Sequence, residues 1–337
     1  MKVAVYYSNS DIRLEERPLP AIKNGEMLVK MMASGICGTD VMEWYRRGKA
    51  PRVLGHEIAG EVVAAGKALQ GFKIGDRVFV SHHVPCFSCH YCLSGRHSAC
   101  EALHTGNYDP GGFAEFIRIP EPNVKYGTLL LPEGVSYDEA TMIEPLGCAV
   151  AGQRRIGLRD GQSILVIGSG VSGLSHIQLA KLKDTRVIAT DINDYRLNKA
   201  LEFGADYAIN AVDYSVDELK RVNQGQLAEV VIVCAGAEKA VSDALRSVDR
   251  RGTILFFAVP QKPIALPSVS FWRDEVAITF SYGAATADLE DALKLIESGR
   301  VDAKGMITHR VVLAAIEDGF RLVSEANKSL KVVVVPE

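Results

Sequence analysis

The sequence predicts an α/β protein of two domains, a β-rich one joined to a doubly wound parallel sheet, and three observations carry that expectation. Up to about residue 143 the apolar segments are short, bounded by Gly, Pro or Asp, and follow one another without α/β alternation. From Ser163 onward six apolar segments alternate with helical patterns, the order of a parallel sheet with crossover helices. Residues 163–173, SILVIGSGVSG, then run from a β-branched segment through spaced glycines into a helical pattern. A chain of 337 residues has room for both parts.

Taken in order, the β-rich part shows strand patterns over 3–7, 26–32, 56–65, 77–80 and 113–119, with Gly-containing turns such as 71–76 between them. Near Glu144 the pattern changes. Strands follow over 164–167, 187–190, 207–209, 229–234, 253–258 and 276–281, with helical patterns over 194–203, stopped by Gly204, and 238–248. Two more helical patterns, 288–298 and 313–325, lead to Lys331 and four valines, a terminal strand that needs a sheet to join. Its expected return to the first domain makes that domain discontinuous, 1–150 with 285–337, around a second domain at 151–284.

Strand, glycine turn and helix is the setting in which Gly168-Ser169-Gly170-Val171-Ser172-Gly173 reads as a dinucleotide fingerprint. The first glycine makes the turn, the second lets backbone approach a pyrophosphate, and the third lets helix and strand pack. The helix N-terminus faces the phosphates. The next strand pattern ends in Asp191, 18 residues after Gly173. An acid there hydrogen-bonds the ribose 2′-hydroxyl and repels a 2′-phosphate, which favours NAD over NADP. This unit is expected to be a Rossmann domain.

Composition removes other classes. A net charge of −3 offers no basic field for nucleic acid. No apolar run approaches the roughly 18 residues of a membrane span, and the N-terminus turns polar by Ser8, unlike a secretory h-region. Seven cysteines, clustered and without a secretory signal, point to reduced thiols and a cytoplasmic setting.

Four of those cysteines, Cys86, Cys89, Cys92 and Cys100, form C-x2-C-x2-C-x7-C, a spacing suited to a closed tetrahedral zinc site that staples a lobe at about 82–103. A ferredoxin-type cluster has a last gap of three followed by Pro, which this chain lacks. A metal with four sulfurs has no open position. Chemistry would need a second site, and Cys37 with His56 and Glu57 supplies a thiolate, an imidazole and a carboxylate, with Glu144 as a fourth ligand or a partner to them. Spacing alone leaves these residues open to structural roles as well.

Cys37-Gly38-Thr39-Asp40, Gly55-His56-Glu57, Gly75-Asp76-Arg77-Val78, the four-cysteine lobe, Gly111-Gly112-Phe113-Ala114-Glu115, Glu144-Pro145 and the glycine fingerprint occur in that order. Together they resemble the zinc-dependent medium-chain dehydrogenases, in particular the branch of sorbitol, threonine and galactitol-phosphate dehydrogenases. The resemblance covers essentially the whole chain. It implies a GroES-like catalytic domain and a Rossmann domain with the active site in the cleft between them. It further implies two zinc ions per chain, NAD as cofactor and a homodimer or homotetramer. Cys37, His56 and Glu57 match catalytic zinc ligands, and Glu144 matches a glutamate that coordinates zinc or its water. Thr39 matches the hydroxyl that takes the substrate proton. Asp191 and Arg196 match positions near the adenosine ribose.

The resemblance has one gap. Sorbitol and threonine dehydrogenases carry a histidine five residues after the first zinc cysteine, at the outer end of a proton relay. Here that position is Met42, so the relay ends in solvent or in another group. His83 falls where threonine dehydrogenases place a pocket histidine, and a lobe-packing role stands beside that reading. Trp44 and Tyr45 are open to pocket and packing roles alike. The implied reaction is reversible oxidation of a secondary alcohol, with zinc as Lewis acid and hydride passing to the nicotinamide. Two other readings stand beside it, a zinc-free quinone or enone reductase on the same fold and a non-catalytic zinc-lobe or nucleotide-binding protein.

Overall fold

A computed structural model describes residues 1–337, and the fold class is the one the sequence predicts. The chain opens with β1 (Lys2–Ser8), β2 (Asp11–Glu16), β3 (Met27–Ile36), β4 (Arg52–Val53), β5 (Glu57–Ala65), β6 (Arg77–Ser81), β7 (Phe116–Ile119) and β8 (Thr128–Leu130). Six strands follow: β9 (Ser163–Ile167), β10 (Arg186–Asp191), β11 (Tyr207–Asn210), β12 (Ala228–Val233), β13 (Val248–Phe256) and β14 (Ala277–Phe280). The chain closes with β15 (Ile307–Val312) and β16 (Lys331–Val335). One unit holds Met1–Gly147, Gly283–Gly299 and Ala303–Glu337, and a second holds Cys148–Tyr282 and Arg300–Asp302.

In the first unit β2, β1 and β4 form a small antiparallel sheet, and a larger sheet runs β15-β16-β3-β5-β6-β8 with β7 also on β3. Its core gathers Val3, Met31, Ile58, Val80, Phe113, Phe320 and Val332, all at most 1% exposed. The centre of this sheet positions the chemistry. Gly35 of β3 lies opposite Glu57 of β5 on one side and Val333 of β16 on the other. Cys37 follows β3, His56 precedes β5 and Lys331 opens β16, so three segments distant in sequence end at one rim of the sheet.

Strands β2, β4, β8 and β15 were not legible in the pattern. β2 is charge-rich and largely solvent-facing, and β4 and β8 have only two and three residues. Pairing partners, which sequence periodicity does not contain, make them strands. The pattern predicting a helix over 313–325 begins as a 3₁₀ turn at Leu313–Ala315 and becomes α-helical over Ile316–Glu325.

The second unit carries one parallel sheet in the order β11-β10-β9-β12-β13-β14. Counted from β9, that is 3-2-1-4-5-6, and the order reverses between β9 and β12, where dinucleotides sit against the carboxyl ends of the strands. β9 is buried at every residue. It ends at Gly168, whose φ of +94° suits glycine, and the helix Val171–Lys181 begins three residues later. A Cβ on Gly173 would stand 1.9 Å from the Gly168 carbonyl oxygen, so only glycine lets this helix come so close to its strand.

Candidate metal centres and nucleotide site

The four lobe cysteines come together around the short helices His90–Leu93 and Glu101–Thr105, with all four sulfurs within 4.8 Å of one another. None forms a disulfide. Cys86 and Cys92 Sγ are 3.9 Å apart, close to the ~3.8 Å edge of a tetrahedron with metal–sulfur distances of about 2.3 Å. Backbone amides of Cys86 and Cys89 donate to Cys100 Sγ and Cys86 Sγ, both at 3.3 Å, which suits thiolates. The residues fit a closed tetrahedral zinc.

Cys37, His56 and Glu57 form the other cluster, again with ligand atoms within 4.8 Å of one another. Each is held from behind. Thr39 donates to Cys37 Sγ from its amide at 3.5 Å and from its hydroxyl at 3.3 Å. Asp40, fully buried, places Oδ1 3.5 Å from His56 Nδ1 and takes the Cys37 amide on Oδ2 at 3.1 Å. That arrangement leaves His56 Nε2 for a metal. Glu57 is fully buried, and Oε2 accepts from Lys331 Nζ at 2.5 Å. A Cβ on Gly35 would lie 2.0 Å from that Oε2, so the glycine makes room for the pair.

Glu57 Oε1 has no partner. A buried carboxylate oxygen left without a partner is costly (about 1–3 kcal/mol for a neutral group and more for a charged one), and Lys331 meets only the other oxygen of this carboxylate. With the Cys37 sulfur and the His56 ring beside it, the donor set fits zinc with an open position.

The titrating groups follow the same charges. Burial pulls His56 down, but the Asp40 carboxylate and Cys37 outweigh it, and in the metal-free protein its pKa lies well above the usual histidine value. Burial pulls Lys331 down too, and Glu57 and Cys37 reverse that, leaving it raised. Asp40 is opposed by burial yet held below the carboxylate range by His56 and Arg46. Glu144 stands outside the cluster of three ligand atoms, although its charge reaches both Lys331 and Tyr108.

A polar wall adjoins the cluster. The His82 ring lies 4.9 Å from His56 and 3.6 Å from His83, and Tyr108 packs edge-on to His82 at 6.4 Å. Burial, then the neighbouring histidines, keep His82 well below its usual pKa and hold His83 at about 3, so both are neutral. Burial, then Glu144, Asp40 and Glu57, keep Tyr108 a phenol. His82 Nδ1 and Tyr108 Oη are buried without partners. Sequence reasoning missed His82, Tyr108 and Lys331. A lysine opening a four-valine strand was the one signal for the last. Trp44 is 58% exposed, and Tyr45 stacks beneath Arg46 and Lys49.

In the second unit the fingerprint meets its two expected neighbours. Asp191 ends β10, and its carboxylate accepts from the Ser169 amide at 2.7 Å and the Asn193 amide at 2.9 Å. Arg196, on the helix Asp194–Glu202, brings its guanidinium to Gly170, where an added Cβ would meet Nη1 at 3.7 Å. Its Nε is buried and unpartnered. A glycine turn, a helix N-terminus, a carboxylate and an unsatisfied cationic donor fit the ribose and phosphates of a dinucleotide.

This fold and these donor sets define a zinc-binding alcohol dehydrogenase, and the chain belongs to that family. Residues 23–127 match the alcohol dehydrogenase GroES-like domain and residues 172–298 the zinc-binding dehydrogenase family. Among its relatives is a sorbitol dehydrogenase of Bacillus subtilis (strain 168), 32% identical over 352 residues that cover 100% of this chain and 97% of the relative. Galactitol-1-phosphate dehydrogenase from Escherichia coli superposes with a TM-score of 0.89 at 25% identity, covering 100% of both chains. A zinc-binding dehydrogenase from Sinorhizobium meliloti 1021 bound to NADP gives 0.87 at 26% identity, covering 99% of each. The chain is an oxidoreductase acting on CH–OH groups, of a class that uses zinc and a nicotinamide cofactor. No helix is long and apolar enough to cross a membrane.

Proposed function

We propose that the protein is a zinc- and NAD-dependent dehydrogenase that oxidises a secondary alcohol of a polyol or sugar alcohol to the ketone. In this reading Cys37, His56 and Glu57 hold the reactive zinc, with Glu144 as a nearby carboxylate partner, and Cys86, Cys89, Cys92 and Cys100 hold a structural one. The observation that carries it is Glu57 Oε1, a fully buried carboxylate oxygen left unpaired beside the Cys37 sulfur and the His56 ring. Zinc bound there supplies Lewis acidity toward the substrate oxygen. NAD supplies the hydride acceptor.

The chain's own residues do the rest. Asp40 fixes the His56 ring, Lys331 offsets the Glu57 charge and Thr39 offers a hydroxyl at the reacting centre. Gly168, Ser169, Gly170, Val171, Ser172 and Gly173 form the turn that receives the pyrophosphate, with Asp191 and Arg196 at the ribose. Asp191 favours NAD by repelling a 2′-phosphate. The unpartnered His82 Nδ1 and Tyr108 Oη favour a substrate with further hydroxyls, since each buried unsatisfied group costs about 1–3 kcal/mol until something meets it. The names of the relatives point the same way. A homodimer or homotetramer in the cytoplasm accords with this reading.

A cofactor-reduction screen with the purified zinc-loaded protein tests it. Sorbitol, xylitol, galactitol 1-phosphate, threonine and 2-butanol are offered with NAD and with NADP. NAD reduction with a polyol or its phosphate is the expected result. Enone reduction with NADPH and no alcohol oxidation would contradict it.

A further inference from the structure

Arg46 ends the short helix Glu43–Arg46, seven residues beyond Thr39. Its Nη2 donates to Thr39 Oγ1 at 3.0 Å and its Nε to the Thr39 carbonyl oxygen at 2.8 Å. The same Nη2 reaches Asp40 Oδ1 at 3.3 Å, and the guanidinium lies 5.0 Å from the centre of the Tyr45 ring. The side chain is 13% exposed. One guanidinium therefore holds both residues that stand behind the metal ligands, Thr39 beneath Cys37 and Asp40 beneath His56.

The direction of these bonds limits what Thr39 can do. A guanidinium has five donors and no acceptor, so Arg46 cannot take a proton from Thr39, and the Met42 thioether is at best a weak acceptor. The bond from Arg46 fills one lone pair of Oγ1 and leaves the hydroxyl hydrogen to be given elsewhere. It goes to Cys37 Sγ, a member of the metal-binding cluster.

We propose that Arg46 is a positioning residue that holds the Thr39 hydroxyl as a hydrogen-bond donor, to Cys37 Sγ in the free protein and to the reacting oxygen once substrate is bound, in place of an outward proton relay. This rests on the dehydrogenase reading above. In alcohol oxidation the hydride goes to the nicotinamide and the hydroxyl proton to water, which reaches the partly exposed Cys37 and Thr39. Thr39 keeps its own proton and stabilises the charge that develops on oxygen. In ketone reduction the same hydrogen bond meets the carbonyl oxygen. Through Asp40, Arg46 also steadies the His56 ring for metal.

A double-mutant cycle tests this, with rates expressed per zinc-loaded chain and thermal midpoints measured alongside. Arg46→Met is expected to lower kcat about 30-fold with KM within about threefold, and Arg46→Lys, which keeps a donor, to recover to within about fivefold of wild type. In a Thr39→Val background the same Arg46→Met change should cost less than about threefold, because the hydroxyl it acts through is gone. Zinc retention against a chelator should weaken about tenfold in Arg46→Met. Equal losses in both backgrounds, or an unchanged kcat in Arg46→Met, would overturn the proposal. A wild type that turns over no alcohol overturns the dehydrogenase reading; Arg46 is then decided by zinc retention, and equal retention in wild type and Arg46→Met overturns its role as well.

Discussion

The four-cysteine lobe and the Cys37–His56–Glu57 cluster are both groups that could hold a metal ion, with donor atoms within 4.8 Å of one another, yet they are built in opposite ways. The lobe draws its ligands from 15 consecutive residues, Cys86 to Cys100, and steadies the sulfurs with its own backbone amides. Its apolar interior is little more than Cys92, Cys100 and Leu103. The other cluster draws on the ends of β3 and β5 and is steadied by charges, Asp40 behind His56 and Lys331 on Glu57. All four lobe donors are alike and would complete a tetrahedral shell. The three donors at the sheet rim differ and leave Glu57 Oε1 unsatisfied. A set built to close stabilises a loop, and a set built to stay open can do chemistry.

Removing one ligand from each site separates the two roles. Cys37→Ala is expected to lower kcat/KM at least about 10⁴-fold while circular dichroism and the thermal midpoint stay near wild type. A loss of fold in Cys37→Ala would erase the distinction. Lys331→Met strands the buried Glu57 charge. In the zinc-free protein it should cost about 3–5 kcal/mol in denaturant unfolding, and less when zinc is bound and supplies the missing positive charge. Equal costs in both states would mean that Glu57 and the metal do not meet.

Cys92→Ser should do the reverse of Cys37→Ala. The thermal midpoint is expected to fall by about 5–10 °C, while turnover per folded molecule changes little. The smallest effect is a background against which acid release of either metal must be read. His176 is fully buried in the second unit, edge-on to Phe257 at 4.6 Å with Gln153 at its Nδ1, and burial lowers its pKa to about 3. A group so depressed stabilises the fold above its unfolded value near 6.5 and loses that contribution as pH falls toward 3. The slope is about 1.4 kcal/mol per pH unit. Unfolding of His176→Phe between pH 6.5 and 5 should be flatter by about that amount, and an unchanged slope would place the acid sensitivity elsewhere.

Both halves of the fold could be read from the sequence because each has a periodic signature, and the lobe because its cysteines are close together. The fingerprint and Asp191 were legible for the same reason: one βαβ unit carries them. The groups that finish the open cluster were not. Lys331 meets Glu57 across 274 residues of chain, and no local pattern encodes which strand will lie beside β3. His82 and Tyr108 matter because their polar atoms are buried and unpaired, a property of packing alone. Arg46 lies only seven residues from Thr39, but a cation has no acceptor for a relayed proton, and no local pattern tells whether its guanidinium bonds the Thr39 hydroxyl or solvent.

Counting zinc per chain while following NADH formation, in wild type and in Glu57→Ala, tests most directly the claim that one metal is closed and structural and the other open and reactive. Two zinc ions with polyol-dependent NADH formation in the wild type, and one zinc without turnover in a folded Glu57→Ala, is the predicted result. Turnover that survives with a single zinc in Glu57→Ala would contradict it.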